Sequence, residues 1–155
     1  MNTEAIDRLI ENVPSLASSR EDLETMKEGA YCIHRSWGFG KIAGFDPSGG
    51  DHGMLLIDFD EDERKGHAMD PVFCLGKLEI LSETHILTLH RENPEEIELM
   101  AKKEPVSIVM GILAECDNEC AAAREIECIL LYLFGAVKAK KWWTNTKNYF
   151  GQYLQ

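Results

Sequence analysis

The strongest constraint on this chain is a change of rhythm near Ser82. Between Ala30 and Leu81 the apolar residues come in short runs cut by glycine and proline, and after Ser82 they recur at intervals of three and four. In the first stretch, Tyr31–Ile33 with Arg35 alternates like a strand, Lys41–Phe45 forms a second and Met54–Phe59 a third. Lys65–Ala68 reads as a fourth strand and Leu78–Leu81 as a fifth. Gly38-Phe39-Gly40 and Asp46-Pro47-Ser48-Gly49-Gly50 have turn chemistry, and Asp70-Pro71 opens a single helical turn. Five short strands with tight connections predict a small antiparallel barrel or strongly bent sheet over 29–82.

Helices are expected on both sides of it. Ile6, Leu9, Ile10 and Val13 follow a cap at Asn2 or Thr3, and Ser19 with Asp22 resembles a second cap, for a short helix stopped by Gly29. Beyond Ser82, Asn93-Pro94-Glu95-Glu96 is a helix start with an amide cap, a proline at the first position and two early carboxylates. Glu104-Pro105 opens another helix. Asp117-Asn118 is expected to cap a third, with Ala122, Ile126, Ile129, Leu130 and Leu133 as its apolar stripe and Gly135 as its end. Val137–Leu154 reads as a last helix carrying Trp142, Trp143, Tyr149, Phe150 and Tyr153. The fold class is therefore α+β: a helical segment over 1–28, a five-stranded barrel over 29–82 and a helical bundle over 83–155.

Charge narrows the partners. Sixteen Lys+Arg against 27 Asp+Glu give −11, which sets the whole molecule against phosphate backbones. The last twenty residues run the other way, with Lys138, Lys140, Lys141 and Lys147 and no acid. These lysines interleave with Trp142, and the set is the candidate surface for nucleic-acid contact. Lysines also gather at helix C-termini for electrostatic reasons alone. No apolar run approaches the ~18–20 residues that cross a bilayer, and the N-terminus lacks the basic and apolar regions of a secretory signal. Five cysteines, an odd number without framework spacing, fit reduced thiols in a cytoplasm.

Few patterns carry chemistry. Cys116, Cys120 and Cys128 share helical spacing but lack CxxC pairs and a nearby histidine, so buried thiols are expected in place of a metal site. Cys32, His34 and His67 lack a fourth ligand of recognisable spacing. The acidic run Asp58–Glu63 lacks EF-hand spacing and reads as a solvated hairpin tip. Nothing matches a phosphate-binding loop or a nucleophile elbow. The chain is expected to be non-catalytic, without metal, cofactor or small-molecule substrate.

His34-Arg35-Ser36-Trp37-Gly38-Phe39-Gly40-Lys41-Ile42 is the most informative stretch. Its strand–turn–strand pattern resembles the SH3/tudor-like modules with which bacterial transcription and repair proteins contact RNA polymerase. A longer series is WGFGKI, LLIDFDED, RKGHAMDPVFCLGKLEIL, HILTLHRENPEEIELMAKKEP and KKWWTNTKNYF. It is similar to the N-terminal extension of long Gre-type bacterial transcription elongation factors, and it covers Tyr31 to Phe150. The resemblance implies a tudor-like barrel, a helical domain and a cytoplasmic docking role toward RNA polymerase. The coiled-coil hairpin of Gre factors and the acidic pair at its tip have no counterpart in these residues. RNA cleavage is therefore not carried over, and the chain is expected to be an excised domain or a stand-alone relative.

Within that reading Trp37 and Phe39 are the expected aromatic anchors, with Arg35 and Lys41 orienting acidic groups of the partner. As an exposed anchor, Trp37 would contribute little to thermal stability. If instead both aromatics plug the sheet, they belong to the core.

Overall fold

The turn signals resolve into strands almost where they stand. In the computed structural model, which describes residues 1–116 and 121–150, the chain separates into two compact units, Met1–Ser82 and Glu83–Gln155.

The first unit begins with α1 (Thr3–Asn12), a 3₁₀ turn (Pro14–Ser19) and α2 (Arg20–Thr25). Asn2 caps α1, its side-chain oxygen accepting from the Ala5 N–H at 2.8 Å. Ser19 makes no side-chain cap to α2, because the 3₁₀ turn runs into the helix and Ser19 is not extended there. The strands are β1 (Tyr31–His34), β2 (Gly38–Asp46), β3 (Met54–Phe59), β4 (His67–Met69) and β5 (Leu78–Ile80). One helical turn, α3 (Pro71–Cys74), precedes β5, capped by Asp70, whose carboxylate accepts from the Val72 N–H at 2.8 Å.

All pairings are antiparallel, in the order β4-β3-β2-β1-β5. Among the described residues no ladder joins β4 to β5. The closed barrel suggested by the strand count is here an open five-stranded sheet. Pairing of Cys32 with Gly40, Ile42 with Ile57 and Leu55 with Met69 sets these residues on one face. That face shares its core with Ile6 and Leu9 of α1 and with Leu23 and Met26 around α2. A bulge at Ala43 sets two residues of β2 against one of β3, returning Phe45 to the same face, opposite Leu55. Gly40 is required by space: a Cβ there would lie 2.8 Å from a Phe59 ring carbon and 3.1 Å from the Asp58 carbonyl oxygen.

The second unit is helical: α4 (Ile86–Glu92), α5 (Pro94–Lys103), α6 (Pro105–Leu113), α7 (Ala123–Phe134) and α8 (Ala136–Phe150). Asn93 caps α5, accepting from the Glu96 N–H. His85 caps α4, its Nδ1 accepting from the Leu87 N–H at 3.1 Å. The expected Asp117-Asn118 cap lies outside the described residues. The described helix α7 starts later, where the Glu125 carboxylate accepts from the Ala122 N–H at 2.7 Å. Gly135, at φ +74°, breaks the chain between α7 and α8. Ile97, Ile108, Ile112, Ile126, Leu130 and Leu133 are buried in this unit. Among the described residues no helix is long and apolar enough to cross a membrane.

Candidate functional site: an aromatic groove on the sheet

The turn Arg35–Trp37 between β1 and β2 is held by an imidazole. His34 Nδ1 accepts from the Ser36 N–H at 3.1 Å and from the Trp37 N–H at 3.2 Å. The ring proton therefore sits on Nε2, which is buried without a hydrogen-bond partner among the described residues, a cost of about 1–3 kcal/mol. The His34 ring stacks on Trp37 at 4.2 Å between centroids, with planes 17° apart. Phe59 meets Trp37 edge-on at 5.5 Å and His67 does so at 4.6 Å. The Arg64 guanidinium lies over the indole, 4.6 Å from its centroid. Trp37 is thus half-buried and packed on three rings and a cation.

Trp37 also lines an open groove of about 560 Å³ with His52, His67, Asp70, Val72 and Phe73. Phe73, on α3, is 55% exposed and has the Lys77 ammonium 5.7 Å above its ring. His52 Nδ1 and an Asp70 carboxylate oxygen are 3.0 Å apart, so the cap of α3 also forms part of the groove. The groove thus offers two aromatic surfaces, each with its own cation, and one imidazole–carboxylate pair.

The residues expected to act together divide. Phe39 is a correction: only 4% exposed, it is an interior ring and not an accessible anchor. Its pairing with Ile33 places it, with Lys41, on the sheet face opposite Ile42. There it lies 5.5 Å from Tyr31, whose ring also carries the Lys41 ammonium at 4.9 Å. Arg35 is exposed in the turn, but the cation on the indole is Arg64. Sequence reasoning missed Arg64, Phe73 and the His52–Asp70 pair. Only the Asp70-Pro71 helix start pointed toward this corner.

Among the described residues the cysteines do not gather into a metal site. Burial, with the neighbouring Cys74 thiol adding to it, pushes the Cys32 thiol up to about 12. Burial and then Asp70 push Cys74 up to about 12 as well, so both pack as neutral apolar groups. Cys128 is exposed, against the expected burial, and Cys116 is half-buried with its thiol toward the Ile112 carbonyl. Cys120 lies outside the described residues. Among the described residues no group of three or more His, Cys, Asp or Glu side chains could hold a metal ion. The acidic run forms local bonds, with Asp58 accepting from the Gly66 N–H at 2.6 Å and Glu61 from Arg64 at 2.9 Å.

On α8 the residues of the expected charge-and-stacking surface find different neighbours. The Trp142 indole donates to the Ala101 carbonyl at 2.9 Å and its ring lies 5.5 Å from Phe134. Lys138 pairs with Glu98 at 3.3 Å. Lys140, Lys141 and Lys147 are exposed and have no ion pair among the described residues. Tyr153 and Leu154 lie outside the described residues.

The imidazole clamp makes stability depend on pH. Burial first, then the neighbouring basic side chains Lys77, His67 and Arg64, hold the His34 pKa below its usual 6.5. Burial, then Arg91, does the same for His90, with Glu98 opposing and Lys138 assisting. A base depressed by folding takes up its proton first in the unfolded chain. The stability is therefore complete above about 6.5 and declines as pH falls below it. Tm at pH 5.5 is expected to be several degrees below Tm at pH 7.5. His34→Asn, whose amide oxygen still accepts from the turn, should reduce that difference to the share of His90, and an unchanged slope would reassign it.

Comparison with known proteins supplies a context. Residues 87–151 match the GRAD helix-turn-helix domain family. Over 122 residues the chain is 25% identical to a Treponema pallidum (strain Nichols) protein provisionally named a GreA-associated domains protein. That match covers 78% of this chain and 18% of the relative, so the chain spans less than a fifth of that protein's length. No solved structure matches. The helical unit is thus similar to a GRAD helix-turn-helix domain, and most of the chain is similar to a Gre-associated protein.

Proposed function

We propose that the chain is a non-catalytic docking unit that brings a Gre-like transcription elongation factor to RNA polymerase. The observation that carries this is the groove between Trp37 and Phe73, where aromatic area stays open to solvent with a cation beside each ring. The SH3/tudor-like reading is supported by the strand order and by the single helical turn before β5, although the ladder is open. The similarity to a GreA-associated protein supplies the transcriptional setting.

Phe73 is the residue to test, since it is exposed and its loss leaves the core intact. In a pull-down with purified RNA polymerase and a Gre-type factor, Phe73→Asp is expected to reduce capture at least tenfold. Its Tm should stay within about 2 °C of wild type, as surface changes cost within ~0.5 kcal/mol. Undiminished capture would overturn the proposal. Nucleic-acid contact through α8 is a second reading, favoured by the helix-turn-helix match, since such units set a helix against duplex DNA. The Trp142 indole N–H is engaged by the Ala101 carbonyl, while Lys140, Lys141 and Lys147 stay exposed.

A further inference from the structure

The α7–α8 pair carries a second groove, remote in sequence from the sheet residues of the first. It has a volume of about 320 Å³, and its lining includes Leu130 and Leu131 of α7 and Ala139 and Trp143 of α8. Leu130 and Ala139 are buried and form the floor, whereas Leu131 is 48% exposed at the edge. The Trp143 indole N–H is buried without an acceptor among the described residues. Lys140 and Lys147 line the α8 side, and Glu127 lines the α7 side. The two lysines are seven residues apart on α8, which is two helical turns or about 10 Å along the axis.

We infer that this groove binds an acidic amphipathic helix of a partner protein. An apolar floor between two helices suits a third helix laid along it, with its own apolar stripe facing down. The charges choose its chemistry. α8 contains no acidic residue, and Lys140 and Lys147 have no ion pair among the described residues. Two carboxylates at i and i+7 of the incoming helix meet them in register, and Glu127 repels a carboxylate on the other side, fixing orientation. A nucleic-acid strand fits this groove less well. Its phosphates gain from one row of lysines only, and its bases find leucine and alanine where stacking needs rings. This inference concerns a groove within the second unit, lined by other residues than the docking groove on the sheet, and stands or falls separately.

The full 155-residue chain is titrated into three fluorescein-labelled synthetic helices: one with leucines at i, i+3, i+4 and i+7 and glutamates at i and i+7, one with the glutamates moved to i and i+3, and one scrambled. A single-stranded 20-mer DNA forms the fourth arm. Saturable micromolar binding is expected for the first peptide, at least tenfold weaker for the other two. Lys140→Glu with Lys147→Glu should weaken it at least tenfold, Leu131→Lys likewise, and Lys141→Glu, outside the lining, less than twofold. Each variant is checked by circular dichroism for an unchanged helical signal, and its phenylalanine-73 docking activity should persist. Overturning results are equal binding of the scrambled peptide, tighter binding of the DNA with Lys141 contributing equally, no saturable binding, or a concentration-dependent dimer that Leu131→Lys abolishes, which would make a second copy the occupant.

Discussion

Phe59→Ala is expected to abolish cooperative unfolding of the sheet-bearing unit at room temperature. Phe59 is fully buried, and its ring meets those of His34, Trp37 and His67. It also fills the space that the missing side chain of Gly40 leaves open. Truncating a core phenylalanine costs about 3–5 kcal/mol, the transfer term plus the cavity. A small unit with ~5–15 kcal/mol of total stability has little margin for that loss. Red-shifted Trp37 emission and a lost near-UV dichroism signal at 25 °C are the expected readouts. A melt within a few degrees of wild type would show that neighbouring rings collapse into the cavity.

Trp37→Ala should lower Tm by roughly 10 °C, since a half-buried indole is worth about 2 kcal/mol and each kcal/mol shifts a small domain by ~4–8 °C. This reverses the expectation for an exposed anchor. The indole is stacked on His34, edged by Phe59 and His67, and covered by Arg64. Trp37→Phe should recover most of the loss, because the stack and the edge contacts need a ring more than an indole N–H. If Trp37→Ala melts with the wild type, the aromatic contacts contribute nothing to stability. The variant would then serve as a docking probe beside Phe73→Asp.

The two substitutions show how far the sequence could be read. Elements bounded by backbone chemistry were legible: Asp70-Pro71, Asn93-Pro94 and Glu104-Pro105 all begin helices, because caps and prolines act within one turn. The α4 start at His85 was missed, since imidazole seldom caps a helix and becomes visible only when its Nδ1 faces the Leu87 N–H. Closure of the sheet was not legible either. Alternation gives each strand two faces, and whether β4 meets β5 depends on pairing that no periodicity records. The neighbours of the candidate site residues were not legible for a related reason. Arg35, Trp37, Phe39 and Lys41 are neighbours in sequence, yet register sends Phe39 and Lys41 to the sheet face opposite Ile42. The partners that Trp37 finds, Arg64 and His67, come from the β3–β4 connection and the first residue of β4, almost thirty residues on. Adjacent tryptophans on a helix point about 100° apart: Trp142 is tied to Ala101, whereas Trp143 lines the groove between α7 and α8.

The bulge at Ala43 has a consequence for how relatives of this chain should be aligned. It is the extra residue in β2, and the pairs on either side of it, Ile42 with Ile57 and Phe45 with Leu55, already point to one face. A homologue lacking that one position would keep a regular ladder with every inward residue still inward, losing only some local twist. A single-residue gap here is therefore a silent length polymorphism, whereas the same gap one strand later, within Met54–Phe59, would turn the sheet inside out.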